Sequence, residues 1–308
     1  MDNLTHSLIG AMLGQAGLKR RTGLAMPALV IAANLPDIDA GCVIYGIESL
    51  SMRRGITHGP IALALLPALL AALLWGFNRW QTQRGRRPEG RLPVHFGWLL
   101  ALCYLGTFSH PLFDWFNNYG IRLLEPFSST WFYGDTLFII DIWILIALGL
   151  GLWRSLRRER AGVPDWAVPA QIALAVTALY VGANVAISRT AVTAAREIEP
   201  EATLLVANPV PLAFWHREVL WRSPDGFYGA IPCDLNACQR YPRKIAKLNW
   251  PDPELARVAE ASPQARAFLF WSRMPLAQPI PGGVRLKDQR FLDSPVSSNF
   301  TVELRTGE

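Results

Sequence analysis

Residues 108–141 read FSHPLFDWFNNYGIRLLEPFSSTWFYGDTLFIID, and this stretch decides how the rest of the chain is read. It begins and ends in apolar sequence yet carries His110, Asp114, Asp135 and Asp141. Charged groups are costly near lipid, so ionisable residues in such a setting point to a function. His110 and Asp114 are four residues apart, which puts them on one face of a helix. Imidazole plus carboxylate is a donor set for zinc and for harder divalent ions. The competing reading is a buried His–Asp hydrogen bond.

Working outward, the flanking sequence is membrane-like. Half of the 308 residues are hydrophobic (51%) and only 18% are charged, which suits a membrane part joined to a soluble part. Residues 59–77, 96–113, 137–153 and 166–188 are apolar enough to be read as spans, since a bilayer takes about 20 residues of helix. Residues 3–18 and 23–35 are shorter apolar helices, read as a hairpin that is fully spanning or re-entrant. Asp2 and His6 interrupt the start, which argues against a cleavable signal peptide. The net charge of +6 is almost all arginine, clustered at Lys19–Arg21, Arg79–Arg91 and Arg154–Arg160. Positive loops stay cytoplasmic, so these clusters are expected inside and both termini outside. No nucleic-acid partner is expected from them; membrane lipids are.

This topology gathers His6, Asp37, Asp39, His58, His110, Asp114, Asp135 and Asp141 at the outer ends of their segments. Asp37 and Asp39 follow Pro36, and an extended segment would point both carboxylates the same way; a solvated turn is the alternative. Arg53-Arg54-Gly55-Ile56-Thr57-His58 opens the first long span. His58 is a candidate ligand, and Arg54 has the planar fork that binds an anionic group such as phosphate, or lipid head groups at the interface. Asp141 starts a helix, where an aspartate is often a cap, but it lies deeper in apolar sequence than Asp135. His95 and His216 lack acidic company in the sequence and are taken as structural.

Residues 189–308 differ. Strand patterns occur at 213–222, 226–231, 283–291 and 299–305, and Pro253–Arg273 has helical spacing. The expected architecture is an α-helical integral membrane domain over 1–188, followed by a small α+β soluble domain with an antiparallel sheet over 189–308. Cys233 and Cys238, in CDLNAC, are expected to form a disulfide outside the cytoplasm.

LTHSLIG, NLPDID, RGITHGP and SHPLFDWFNNYGIRLLEPFS, in this order, resemble the bacterial inner-membrane metal-dependent hydrolase family (YdjM-like). The resemblance covers residues 1–150 closely and the tail more loosely. It implies a divalent-metal site built from His6, Asp37, Asp39, His58, His110 and Asp114, with a role for Asp141. The chain departs from the family at Arg53, where a histidine often precedes the Arg-Gly-x-Thr-His run, and at Ile142, where a proline is common. The implied function is metal-dependent hydrolysis at the outer membrane face. The mixed nitrogen and oxygen donors lead us to expect zinc or manganese, with iron also compatible, as one ion or two. The membrane location leads us to expect a lipid or another amphipathic ester as substrate, phosphodiester foremost. Asp39, Arg54 and Asp141 are the candidate catalytic residues, Asp39 or Asp141 as general base. Two other classes compete: a non-enzymatic metal- or lipid-binding protein that anchors the outer domain, and a transporter. Transporters usually carry their ionisable residues at mid-membrane in repeated halves, and no repeat is visible.

Overall fold

The computed structural model describes residues 1–235, 237–239, 243–247, 256–257, 259–260, 262–292 and 297–305. The chain forms two compact units: Met1–Ile38 with Arg54–Val185, and Asp39–Arg53 with Ala186–Glu308. The second unit thus combines the C-terminal part of the chain with a short piece of the N-terminal half.

The first unit is helical. Its elements are α1 (Asn3–Gln15), α2 (Ala25–Ala32), α4 (Pro60–Gln83), α5 (Phe96–Trp115), α6 (Ile142–Arg160) and the part of α7 (Val168–Ile198) up to residue 185; α3 (Ser49–Met52) belongs to the second unit. Helix α2 is wedged between α1 and α5. A Cβ on Gly10 would lie 2.6 Å from the Leu29 carbonyl oxygen, and one on Gly106 would lie 2.9 Å from the same atom. Small residues permit such backbone approach, the usual packing device between helices in lipid. One core joins Ile9, Met12, Leu137, Ile144, Leu148 and Ala173, tying α1, α6 and α7 together. Another joins Ala28, Ala32, Leu70, Leu99 and Cys103 from α2, α4 and α5. Leu65, Leu69 and Leu73 on α4 stay exposed, as expected of side chains that meet lipid.

Among the described residues, three helices are long and apolar enough to cross a membrane: Pro60–Gln83, Phe96–Trp115 and Val168–Ile198. The bent pair Ala25–Ala32 and Leu35–Met52, at 42°, makes a fourth if counted as one broken span. The span expected at 137–153 does not form as such. Helix α6 starts only at Ile142, and arginines begin at Arg154. The apolar part is then roughly 18 Å of helix, short of a hydrocarbon core of about 30 Å. It packs along α1, which is equally short.

The second unit holds two antiparallel sheets. The first has the order β1 (Leu204–Pro209), β2 (His216–Arg222), β3 (Phe227–Asp234), β4 (Arg243–Lys247), and the second β5 (Pro275–Ile280), β6 (Gly283–Asp288), β7 (Thr301–Arg305). Strands β2, β3, β6 and β7 correspond to the four expected from sequence; β1, β4 and β5 are additional. Helix α8 (Pro263–Trp271) occupies part of the expected helix; positions 251–255, 258 and 261 lie outside the described residues. Trp271, Phe291 and Phe300 stack with centroids 4.4–5.7 Å apart. Val219, Trp221 and Ile231 pack with Ala191 and Ala195. Cys233 and Cys238 are joined by a disulfide with an S–S distance of 2.00 Å. His216, read from sequence as lacking an acidic neighbour, meets Asp234 across the β2–β3 pair at 2.7 Å.

Candidate metal centre

Three segments of the first unit deliver four ligand-type side chains to one point. His110 and Asp114 project from the same face of α5, and both are fully buried. Asp37 comes from the turn that follows α2. His58 comes from the short turn Ile56–His58 that leads into α4. One donor atom from each of Asp37, His58, His110 and Asp114 lies within 4.8 Å of all the others.

The local chain explains each placement. Residues Leu35–Glu48 form 3-10 turns, broken at Gly46 (φ 59°), and are not the extended segment expected after Pro36. The amide of Asp37 donates to the Asn34 carbonyl at 3.1 Å, continuing the coil of α2. At three residues per turn, positions two apart diverge. So Asp37 and Asp39 do not converge as alternating strand residues would, and Asp39 falls in the second unit. Before α4, Arg54 adopts φ 53° and its carbonyl accepts from the Arg122 amide at 2.9 Å. Gly59 then precedes Pro60, the first residue of α4, where proline costs no hydrogen bond. A Cβ on Gly59 would lie 1.8 Å from the Glu125 carbonyl oxygen, so only glycine fits where this turn passes residue 125.

The inner geometry favours a cation. His110 Nδ1 lies 2.7 Å from the Ala33 carbonyl oxygen, an acceptor only, so this nitrogen carries the proton. In the neutral ring, Nε2 then presents a lone pair. His58 Nδ1 sits 3.0 Å from Thr57 Oγ1, and its Nε2 lies 3.1 Å from that of His110. Asp114 Oδ2 is 3.4 Å from His110 Nε2 and 3.6 Å from His58 Nε2, yet it is buried without a hydrogen-bond partner. Asp37 Oδ1 is 3.6 Å from His110 Nε2 and 3.9 Å from His58 Nε2. Ligands about 2.0–2.1 Å from a tetrahedral zinc are separated by about 3.3–3.4 Å. The observed spacings bracket that edge, so two nitrogens and two carboxylates present here fit a divalent ion.

Around these four atoms a second layer fixes Asp114. Its Oδ1 accepts from Arg54 Nη2 at 3.0 Å and from the Met1 amine. Arg54 is buried and spends its other donors inside the protein: Nη1 donates to Asn117 Oδ1 at 3.0 Å and to the Gly120 carbonyl at 3.3 Å. Its guanidinium also lies over the Tyr119 ring at 4.5 Å. Asn117 Oδ1 further accepts from the Tyr119 amide. In the sequence Asn117 is marked only as one of a pair of asparagines in apolar surroundings. The chain belongs to the YdjM inner membrane protein family. The family model matches residues 1–191, which include every residue of the group. No curated protein and no solved structure matches the chain.

The remaining candidates of this YdjM-family chain fall around the group in different ways. His6 stacks on His110 with centroids 3.7 Å apart, and its Nε2 lies 3.3 Å from Asp114 Oδ1 without hydrogen-bond geometry. It therefore flanks the four donors. Asp141 caps α6: Oδ1 accepts from the amides of Trp143 (3.0 Å) and Ile144 (3.1 Å), and Oδ2 from the Tyr180 hydroxyl at 3.0 Å. Its carboxylate is given to the helix start, where an acceptor satisfies otherwise orphan donors. Asp135 has φ 48° and lies outside the four-residue group.

Proposed function

We propose that this inner-membrane protein is a divalent-metal-dependent hydrolase working at the outer membrane face on a lipid or another ester substrate, a phosphodiester foremost. The reading rests on one observation: a buried Asp37–His58–His110–Asp114 group with an orphan carboxylate oxygen and donor spacings suited to an ion. A zinc or manganese ion held there would act as a Lewis acid and supply an activated water at neutral pH. The protein's own contribution is to hold the donors. Ala33 fixes the His110 tautomer, and Arg54 compensates the Asp114 charge. His6, whose Nε2 has no hydrogen-bond partner, is a further donor beside them.

The outer location is supported by helix polarity. Helices α1 and α4 start near the group and α2 and α5 end there, while Lys19–Arg21, Arg79–Arg91 and Arg154–Arg160 follow the opposite ends. Positive loops stay inside, which favours an outer position for the group and a periplasmic one for the C-terminal unit. Hydrolysis of a panel of phospholipids and soluble phosphodiesters by the purified full chain tests the proposal. Turnover should vanish with chelator and return with zinc or manganese; turnover indifferent to chelator contradicts it.

A further inference from the structure

At the basic end of the first unit lies a cavity of about 400 Å³, lined among others by Lys19, Arg20, Arg91, Glu159 and Trp166. We propose that this cavity binds the phosphate-bearing head group of an anionic phospholipid. The inference is independent of the hydrolase reading, since the cavity shares no residue with the metal group.

Two separate basic clusters converge here. Lys19 and Arg20 come from the turn after α1, Arg91 from the loop before α5, and Glu159 from the last turn of α6. Glu159 is the one carboxylate among the lining residues, and Lys19 Nζ holds it at 2.5 Å. Arg91 Nη1 donates to Gln81, a neutral partner, so its charge is not cancelled there. Among the described lining residues three cations stand against one carboxylate, a surplus of two positive charges. Lys19 and Arg20 both lie over the Trp166 ring, at 4.3 and 4.5 Å. Those contacts hold the cations over the ring without neutralising them.

The backbone adds to the field. Leu24, Ala25 and Met26 at the start of α2 line the same cavity, and this helix start has no side-chain cap. A helix N-terminus favours negative charge. The volume is within the range of small-ligand sites. The position selects a lipid over a free anion. Arg21 lies over Trp98, near the start of α5, at 5.0 Å, and tryptophans paired with cations mark the membrane–water interface. Basic pockets between helices on the cytoplasmic side recognise anionic head groups.

The test titrates the purified full chain in neutral detergent with short-chain phosphatidylglycerol. Phosphatidylcholine of the same chain length and inorganic phosphate are titrated separately, and bound molecules are counted by native mass spectrometry. One phosphatidylglycerol should be retained at least tenfold more tightly than phosphatidylcholine, with phosphate alone not retained. Arg20→Gln and Arg91→Gln should each weaken retention on the order of fivefold, with thermal midpoints unchanged. Arg91, on a loop, keeps the test open if the Arg20 variant does not fold. Arg157→Gln, on α6 but not lining the cavity, should leave retention unchanged. Equal retention of phosphatidylcholine, retention of phosphate alone, or equal weakening by Arg157→Gln would overturn the proposal.

Discussion

Replacing Arg54 with lysine separates two roles for this residue. As a substrate clamp, Arg54 would be needed for an anion from outside, and Arg54→Lys would raise KM while leaving the metal in place. As built, the guanidinium is committed inward, to Asp114, Asn117 and Gly120. Lysine keeps the charge and can reach Asp114, but one ammonium cannot also serve Asn117 and Gly120 across the fork. Two hydrogen bonds from a charged donor are worth about 1.5–3 kcal/mol each. Part is recovered by water or by rearrangement, leaving a loss of about 3 kcal/mol. Because Arg54 orients a candidate ligand, metal affinity should fall about 10- to 100-fold. The assay is a zinc titration of the purified full chain against a competing chelator, with thermal unfolding in the same detergent. Unchanged zinc affinity together with an unchanged thermal midpoint would refute the positioning role and restore the clamp.

Asp141→Ala should cost about 0.5–2 kcal/mol through loss of the α6 cap, seen as a lower thermal midpoint, while metal content stays at the wild-type level; loss of metal would show that Asp141 serves the site. In the second unit Asp288 is buried, which by itself raises a carboxyl pKa, but the Arg290 guanidinium at 2.8 Å holds it below the usual value. A depressed folded pKa gives stability that is present above the unfolded value of about 3.9 and is lost as pH falls below it. The wild type should therefore lose its advantage over Asp288→Asn below about pH 4, as followed by acid unfolding of both proteins; a constant difference down to pH 2 contradicts this. In a Cys42→Ser, Cys103→Ser background, a membrane-impermeant thiol reagent should label Cys233 and Cys238 on intact cells only after reduction; labelling that needs a breached membrane and no reductant contradicts both the location and the bond.

The candidate site was legible where chemistry follows helical spacing. His110 and Asp114, four apart in apolar sequence, meet on one buried face, and the order of motifs located His58 and Asp37. What misled was local backbone. Pro36 suggested extended geometry, but the Asn34 carbonyl captures the Asp37 amide and the chain keeps turning. Residue type alone leaves Asp141 as either cap or site partner; only the Trp143 and Ile144 amides distinguish them. The apolar run 137–153 read as a span because composition does not show where a cap starts the helix. Strand β5, PLAQPI, was hidden by its prolines, which an edge strand tolerates. Ala33, which fixes the His110 tautomer, acts through its carbonyl and has no sequence signature.

The most direct test is the metal itself. Full-length protein purified without added chelator should carry divalent metal, measured by inductively coupled plasma mass spectrometry. His110→Ala and Asp114→Ala should each lose most of it, while His95→Ala, outside the group, should retain it. Equal metal content in all four proteins would contradict the account.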